Sequence, residues 1–159
     1  MGYLSIYLND HYAGSTLGVE LAKRAAASNE GEPDFGPALG RIAGEIAEDR
    51  EELKRVMERC GVRNNPVKAG VALAAERAGR LKPNGQLRGY SPLSRLVEVE
   101  GLVTGVTGKL SLWRALLAVA PDERRLDADE LTRLAERAEH QLGELHELRD
   151  AAARAAHMA

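Results

Sequence analysis

Residues 91–120 have the sequence SPLSRLVEVEGLVTGVTGKLSLWRALLAVA and include the most apolar segment of the 159-residue chain. Ser91 is a preferred N-cap residue and Pro92 suits the first turn of a helix, so the pattern predicts a helix that ends near Pro121. Apolar residues lie on most of its circumference, which predicts burial on all sides. A membrane span is not predicted, because a charged residue at membrane depth costs about 2.5–3.5 kcal/mol. The apolar segment, residues 96–120, contains four charged residues: Glu98, Glu100, Lys109 and Arg114.

The other helices follow from the glycine and proline residues that separate the apolar patterns. The predicted helices span residues 3–28, 37–60, 66–80, 92–119 and 127–156. Short loops follow the first and third long helices, so each pair is expected to form an antiparallel hairpin. Residues 61–90 form a long crossover that contains the short helix. Residues 1–159 are therefore predicted to form a single all-α domain, a four-helix bundle of two hairpins joined by that crossover.

This order of helices resembles the ferritin-like superfamily, in which a crossover joins the second and third helices. The resemblance is architectural and covers nearly the whole chain. It implies metal chemistry, because the di-iron members carry a Glu on each of two helices and a Glu-x-x-His pair on each of the other two. On helical wheels, His11 is the inward titratable residue of the first helix, and the pair formed by Glu45 and Glu48 lacks the His. A standard di-iron centre is therefore not predicted.

An atypical metal site for iron or manganese is one interpretation of the inward polar residues. Folding of the first hairpin places His11 opposite residues 51–53, so that His11, Asp49 and Glu52 converge, and Glu98 or Glu100 arrives from the third long helix. The competing interpretation makes His11 a structural residue, whose ring nitrogens pair with a carboxylate and with a carbonyl or water. No cofactor is expected on that second interpretation.

Three glycines, Gly101, Gly105 and Gly108, share one narrow face of the third long helix. Each costs about 1 kcal/mol of helix propensity relative to Ala, so a compensating interaction is expected. Small residues at this spacing permit the close approach of a second helix. That helix is either the crossover segment or part of a second subunit, and a cofactor lying against the glycines is a third interpretation.

The segment 61–95 is locally cationic, with Glu76 as its single acid. Its residues predict an anion site at the start of the third long helix, where free backbone N–H groups favour negative charge. The candidate residues are Arg80, Lys82, Arg88, Ser91 and Arg95. The alternative is a solvated loop that balances the acidic second and fourth helices.

Composition restricts the function further. The formal net charge is −2 and aromatic residues make up 4% of the chain, so nucleic acid is not an expected partner. Cys60 is the single cysteine, and the first residues lack the pattern of a secretory signal, which predicts a cytoplasmic location. We expect a non-catalytic interaction or assembly module that binds a protein partner or forms a homodimer. The alternative is an atypical metal protein for iron storage or oxidoreduction, so the sequence leaves open whether the chain is an enzyme.

Overall fold

The computed structural model describes residues 2–64 and 89–157, and within these ranges the protein is helical, without strands. Helix α1 spans Tyr3–Ser28, α2 spans Gly36–Arg59, α3 spans Pro92–Val119 and α4 spans Ala128–His157; a short 3-10 turn, Ala120–Asp122, follows α3. The all-α prediction is confirmed, and the four long helices begin and end within one residue of their predicted positions. The predicted helix over residues 66–80, and most of the crossover, lie outside the described residues.

The ends of the helices show why the sequence breaks where it does. The Ser91 hydroxyl caps α3 by accepting a hydrogen bond from the backbone N–H of Ser94 at 3.1 Å. Gly61 ends α2 in the left-handed region with φ of 67°, which a residue with a side chain adopts only under strain. Asp127 caps α4, because its carboxylate accepts from the backbone N–H groups of Asp129 and Glu130 at 3.0 Å each.

Ion pairs between helices define their relative directions. Arg41 near the start of α2 pairs with Glu144 of α4 at 2.5 Å, and Arg59 at the end of α2 pairs with Glu130 near the start of α4. These two helices are therefore antiparallel. Between α3 and α4, Arg114 pairs with Glu139 at 2.6 Å.

Helix α1 is antiparallel to both α2 and α3. A short loop joins α1 to α2. Arg24, near the end of α1, pairs with Glu98, near the start of α3, at 2.7 Å. Because α2 and α3 both oppose α1, they run parallel to each other. The end of α2 and the start of α3 consequently lie at opposite ends of the bundle.

The core lies along the axis between the four helices. Its fully buried large side chains include Leu8, Leu39, Ile42, Val56, Trp113, Leu131, Leu134 and Leu145. The prediction that α3 is buried on all sides is wrong, because one face of this helix is exposed. That face carries Thr104, Thr107 and Ser111, whose hydroxyl groups donate to backbone carbonyls within the helix at 2.8–3.0 Å. The same face also carries the exposed charged residues Glu100 and Arg114, whose solvation favours its exposure.

Among the described residues, one helix is long and apolar enough to cross a membrane, judged by length and composition alone. It is the segment Pro92–Asp122, with a mean hydropathy of 1.3 over its most apolar window. The core helix of a bundle has the same composition, and α3 contributes Val99, Leu102 and Trp113 to the buried core. The prediction that this segment does not span a membrane stays a prediction.

Candidate ligand-binding site

A cavity of about 350 Å³ lies between α1, α2 and α3. Its walls are mostly apolar. Helix α1 contributes Asp10, His11, Gly14, Ser15 and Gly18, and α2 contributes Ile46, Asp49, Arg50 and Leu53. Helix α3 contributes Gly101, Leu102, Thr104, Gly105, Val106, Gly108, Lys109, Leu112 and Trp113. The exposed positions among these are Asp10, Gly14, Thr104 and Gly105, so the cavity opens to solvent between α1 and α3. The volume is typical of small-molecule sites, which range from about 300 to 1,000 Å³.

Glycines on two facing helices create this space. A Cβ atom added at Gly14, Gly18, Gly105 or Gly108 would meet no atom within 4 Å. None of these glycines has a positive φ, so no backbone conformation requires them. Gly101 is different, because a Cβ there would lie 2.8 Å from Cδ2 of Leu21 on α1.

At Gly101 the neighbour is the Leu21 side chain of α1, which is neither the crossover segment nor a second subunit. At Gly105 and Gly108 the missing side chains leave open space instead. The predicted contact between the glycines and the crossover segment lies outside the described residues, and contact with a second subunit stays a prediction.

Two buried nitrogen atoms on cavity-lining side chains have no hydrogen-bond partner within the described part of the chain. They are Nε1 of Trp113, a residue that is fully buried, and Nε of Arg50. An unpaired buried donor costs about 1–3 kcal/mol, so native proteins rarely leave one. Both side chains border the cavity, but the two nitrogen atoms are themselves buried and are not reached from it.

The guanidinium group of Arg50 has only long contacts through its other nitrogens. These reach Glu51 at 3.3 Å and the hydroxyl of Thr16 at 3.4 Å, whereas charge-assisted bonds are about 2.7–2.9 Å. The group also stacks on the ring of Tyr12, with 4.4 Å from Cζ to the ring centroid. The Arg50 charge is thus weakly compensated by the protein.

Asp49 lies at the inner side of the cavity and is only 2% exposed. Lys109 donates to one of its carboxylate oxygens, and Arg137 donates to the other. Gln141, which is fully buried, links Lys109 to Glu45 by accepting from the former and donating to the latter at 2.9 Å. Burial lowers the pKa of Lys109, and the Asp49 carboxylate opposes that shift.

His11 borders the cavity on α1 and is half-buried. Its ring packs edge to face on Tyr7, with 4.6 Å between the centroids. Burial lowers the pKa of His11, and the neighbouring Asp10 carboxylate partly offsets that effect. The neutral imidazole is consequently the favoured form near neutral pH.

The four residues of the predicted metal site are only partly brought together. His11 and Asp49 line the same cavity, but Lys109 and Arg137 already occupy Asp49. Glu52 pairs with Arg55 at 2.8 Å, which lowers the pKa of this carboxyl group, and Glu100 is exposed. Within residues 2–64 and 89–157, no group of three or more His, Cys, Asp or Glu side chains is placed to hold a metal ion. The metal site stays a prediction.

Two residues of the predicted anion site can be located. Ser91 uses its hydroxyl as the cap of α3, and the buried Arg95 donates to Asn29 at 2.5 Å and pairs with Glu32 at 3.2 Å. Arg95 also stacks on the ring of Phe35 at 4.3 Å. Both residues are therefore engaged by protein groups. Arg80, Lys82 and Arg88 lie outside the described residues, so the complete anion site stays a prediction.

Gly14 and Arg50 line the cavity, although neither residue was predicted to belong to a site. One pattern in the sequence could have indicated the cavity: Gly14 and Gly18 lie four residues apart on α1, as Gly101 and Gly105 do on α3. Facing pairs of this kind indicate either tight helix packing or a space between the helices, and a sequence alone does not distinguish the two.

Comparison of the chain with protein-family models, with curated protein sequences and with solved structures found no match.

Proposed function

We propose that the protein is a non-catalytic binding module and that its binding site is the cavity between α1, α2 and α3. One observation carries this proposal: glycines on both walls hold open a space of about 350 Å³ that packing does not fill. Native interiors are close-packed, and glycine in a helix costs about 1 kcal/mol relative to Ala. A ligand that fills the space compensates for both costs.

The buried ion pairs at the inner side of the cavity support binding more than catalysis. The inward carboxylate, Asp49, is neutralised by Lys109 and Arg137, so it is not free to act as a general base. These contacts give the inner side of the cavity a fixed arrangement, which suits a site that orients a ligand.

A neutral aromatic probe tests the proposal. We expect 2-naphthol to bind saturably to the protein at one site in equilibrium dialysis. The variant Gly108→Leu places a side chain in the cavity and should abolish binding. Gly44→Leu is the matched control, because Gly44 is exposed on α2, outside the cavity, and has open space around it. Equal binding by both variants would contradict the proposal, provided that both unfold cooperatively.

The order and directions of the helices also support membership of the ferritin-like superfamily, which we propose as the relationship of this fold. The proposed binding role does not need the atypical iron or manganese site. Metal analysis of the purified protein tests that alternative, since stoichiometric metal that disappears in His11→Ala would favour it. A homodimer and a cytoplasmic location stay predictions from the sequence, and the mass of the protein in solution tests the first.

A further inference from the structure

The exposed face of α3 has a regular spacing. Between residues 93 and 118, exposed side chains recur at alternating intervals of four and three residues. This seven-residue repeat produces one continuous line along a helix, and it is the spacing with which two helices pack in a left-handed pair. We call this line the α3 seam. Its members are Leu93, Val97, Glu100, Thr104, Thr107, Ser111, Arg114 and Ala118.

The α3 seam carries less charge than the exposed faces of the neighbouring helices. Its charged members are Glu100 and Arg114, and Leu93 and Val97 are each 45% exposed. Depletion of charge with exposed apolar side chains is typical of the centre of a protein interface. The exposed residues of α2 include Arg41, Glu48, Glu51, Lys54, Arg55 and Glu58, and those of α4 include Asp129, Arg133, Glu136, Glu139, Glu147 and Asp150.

The two charges make the α3 seam complementary to itself. Glu100 and Arg114 lie about 21 Å apart along the helix, with Thr107 midway between them. A two-fold axis near Thr107 turns a second copy of α3 antiparallel to the first. Glu100 of each copy then lies opposite Arg114 of the other, as an interface between identical surfaces requires. A parallel arrangement would place like charges opposite each other.

Both charged groups have capacity for this contact. Among residues 2–64 and 89–157, Glu100 forms no ion pair, and Arg114 donates only through Nη2, to Glu139 at 2.6 Å. The side chain of Arg114 is 62% exposed. Its other guanidinium N–H groups are therefore available to a carboxylate of a second copy.

The uncharged centre of the α3 seam suits close packing of two helices. The hydroxyl groups of Thr104, Thr107 and Ser111 already donate to carbonyls of α3, so their burial leaves no donor unpaired. Small side chains let the two backbones approach closely. At each end, the apolar Val97 of one copy lies over Ala118 of the other.

We infer that α3 packs against α3 of a second copy of this chain, antiparallel about a two-fold axis near Thr107. The α3 seam is about 38 Å long and a helix is about 10 Å wide, so the seam alone buries about 750 Å² in total. A standard interface buries about 1,600 Å², so this dimer exchanges with the monomer at micromolar concentrations. The inference does not depend on whether the cavity binds a ligand.

Sedimentation equilibrium over a range from micromolar to millimolar protein tests the dimer. We expect the mean mass to rise from that of one chain toward that of two. Glu100→Arg or Arg114→Glu places like charges opposite each other twice in each dimer, so either variant should weaken association by about tenfold or more. The variant that combines both substitutions should restore it. Glu58→Arg is the control, because the exposed Glu58 lies on α2, and it should associate as the unmodified chain does.

A cysteine substitution tests the position of the axis. The native Cys60 is 5% exposed, so Thr107→Cys adds the accessible thiol of the chain. Mild oxidation should convert this variant to a covalent dimer. Thr132→Cys on α4 is the matched control and should stay monomeric. Like Thr107, Thr132 is exposed, and its hydroxyl donates to a backbone carbonyl at 2.8 Å.

Three results would overturn the inference, provided that the variants unfold cooperatively. The first is a mass of one chain at every concentration. The second is failure of the charge exchange to restore an association that the single variants lose. The third is a protein that stays monomeric in solution and sediments with phosphatidylcholine vesicles, because the α3 seam would then contact a membrane. If the protein stays monomeric and 2-naphthol still binds, the dimer is wrong and the proposed function stands.

Discussion

The buried charges around Asp49 provide the most demanding prediction about stability. Asp49 is 2% exposed, and it pairs with Lys109, whose side chain is 15% exposed, and with Arg137, at 22%. The substitution Asp49→Ala would leave both cations partly buried without their shared counter-charge. Breaking a buried pair in this way typically costs about 3–5 kcal/mol.

This loss is large for a bundle of this size. A stable domain has a free energy of unfolding of about 5–15 kcal/mol, so Asp49→Ala removes a substantial part of it. At about 2–4 °C for each kcal/mol, the midpoint of thermal unfolding should fall by roughly 6–20 °C. Urea unfolding followed by circular dichroism measures the free energy directly, and the slope with urea should stay unchanged.

Two controls make the prediction specific. Glu48 also pairs with Arg137, at 3.1 Å, but its side chain is 69% exposed, so Glu48→Ala should cost only about 0–1 kcal/mol. The double variant Asp49→Ala with Lys109→Met should recover part of the loss, because it removes the uncompensated ammonium group. If Asp49→Ala is no more destabilising than Glu48→Ala, the reasoning about the buried charges is refuted.

Three further predictions concern single residues. Burial lowers the pKa of His11, so the unfolded state binds a proton more readily than the folded state. The free energy of unfolding should therefore fall as the pH decreases from about 6.5 through the pKa of folded His11. In urea titrations, His11→Gln should flatten this part of the pH profile. Burial also raises the pKa of the Cys60 thiol. Cys60 in the folded protein should therefore react with Ellman's reagent much more slowly than Cys60 in the unfolded chain. Equal rates would contradict the burial of this thiol. Gly105→Ala should raise the free energy of unfolding by about 0.5–1 kcal/mol, because Ala favours a helix and its Cβ would meet no atom there. A loss of stability in urea unfolding would show that the space beside Gly105 is not open.

The long helices were predictable because their ends depend on local chemistry. Ser91 with Pro92 begins α3 by capping and by a fixed φ, and Gly61 ends α2 with a positive φ, all of which are properties of a few neighbouring residues. The helical period then determines which face of each helix is apolar. The prediction that α3 is buried on all sides failed because one face carries polar residues that remain exposed to solvent, among them Glu100, Thr104 and Arg114.

The candidate site was less predictable because it depends on contacts between helices. A helical wheel places Asp49 on the inner side of α2, but it does not show that Lys109 and Arg137 reach the same carboxylate from α3 and α4. The Arg50 side chain stacks on the buried Tyr12, although a helical wheel does not place Arg50 at the centre of the apolar face of α2. The spacing of Gly101, Gly105 and Gly108 predicted the close approach of another helix or of a cofactor. Only the structure shows contact with Leu21 of α1 at Gly101 and open space at the other two glycines.

Trp113 borders the cavity, so its indole N–H resonance reports on whether a ligand binds there. The chain contains one tryptophan, so its indole gives one resonance in a proton–nitrogen correlation spectrum. Because Trp113 borders the cavity, this resonance should shift saturably as 2-naphthol is added, and Gly108→Leu should abolish the shift. If the resonance stays in place when 2-naphthol is in large excess, the cavity does not bind the probe and the proposed function is wrong.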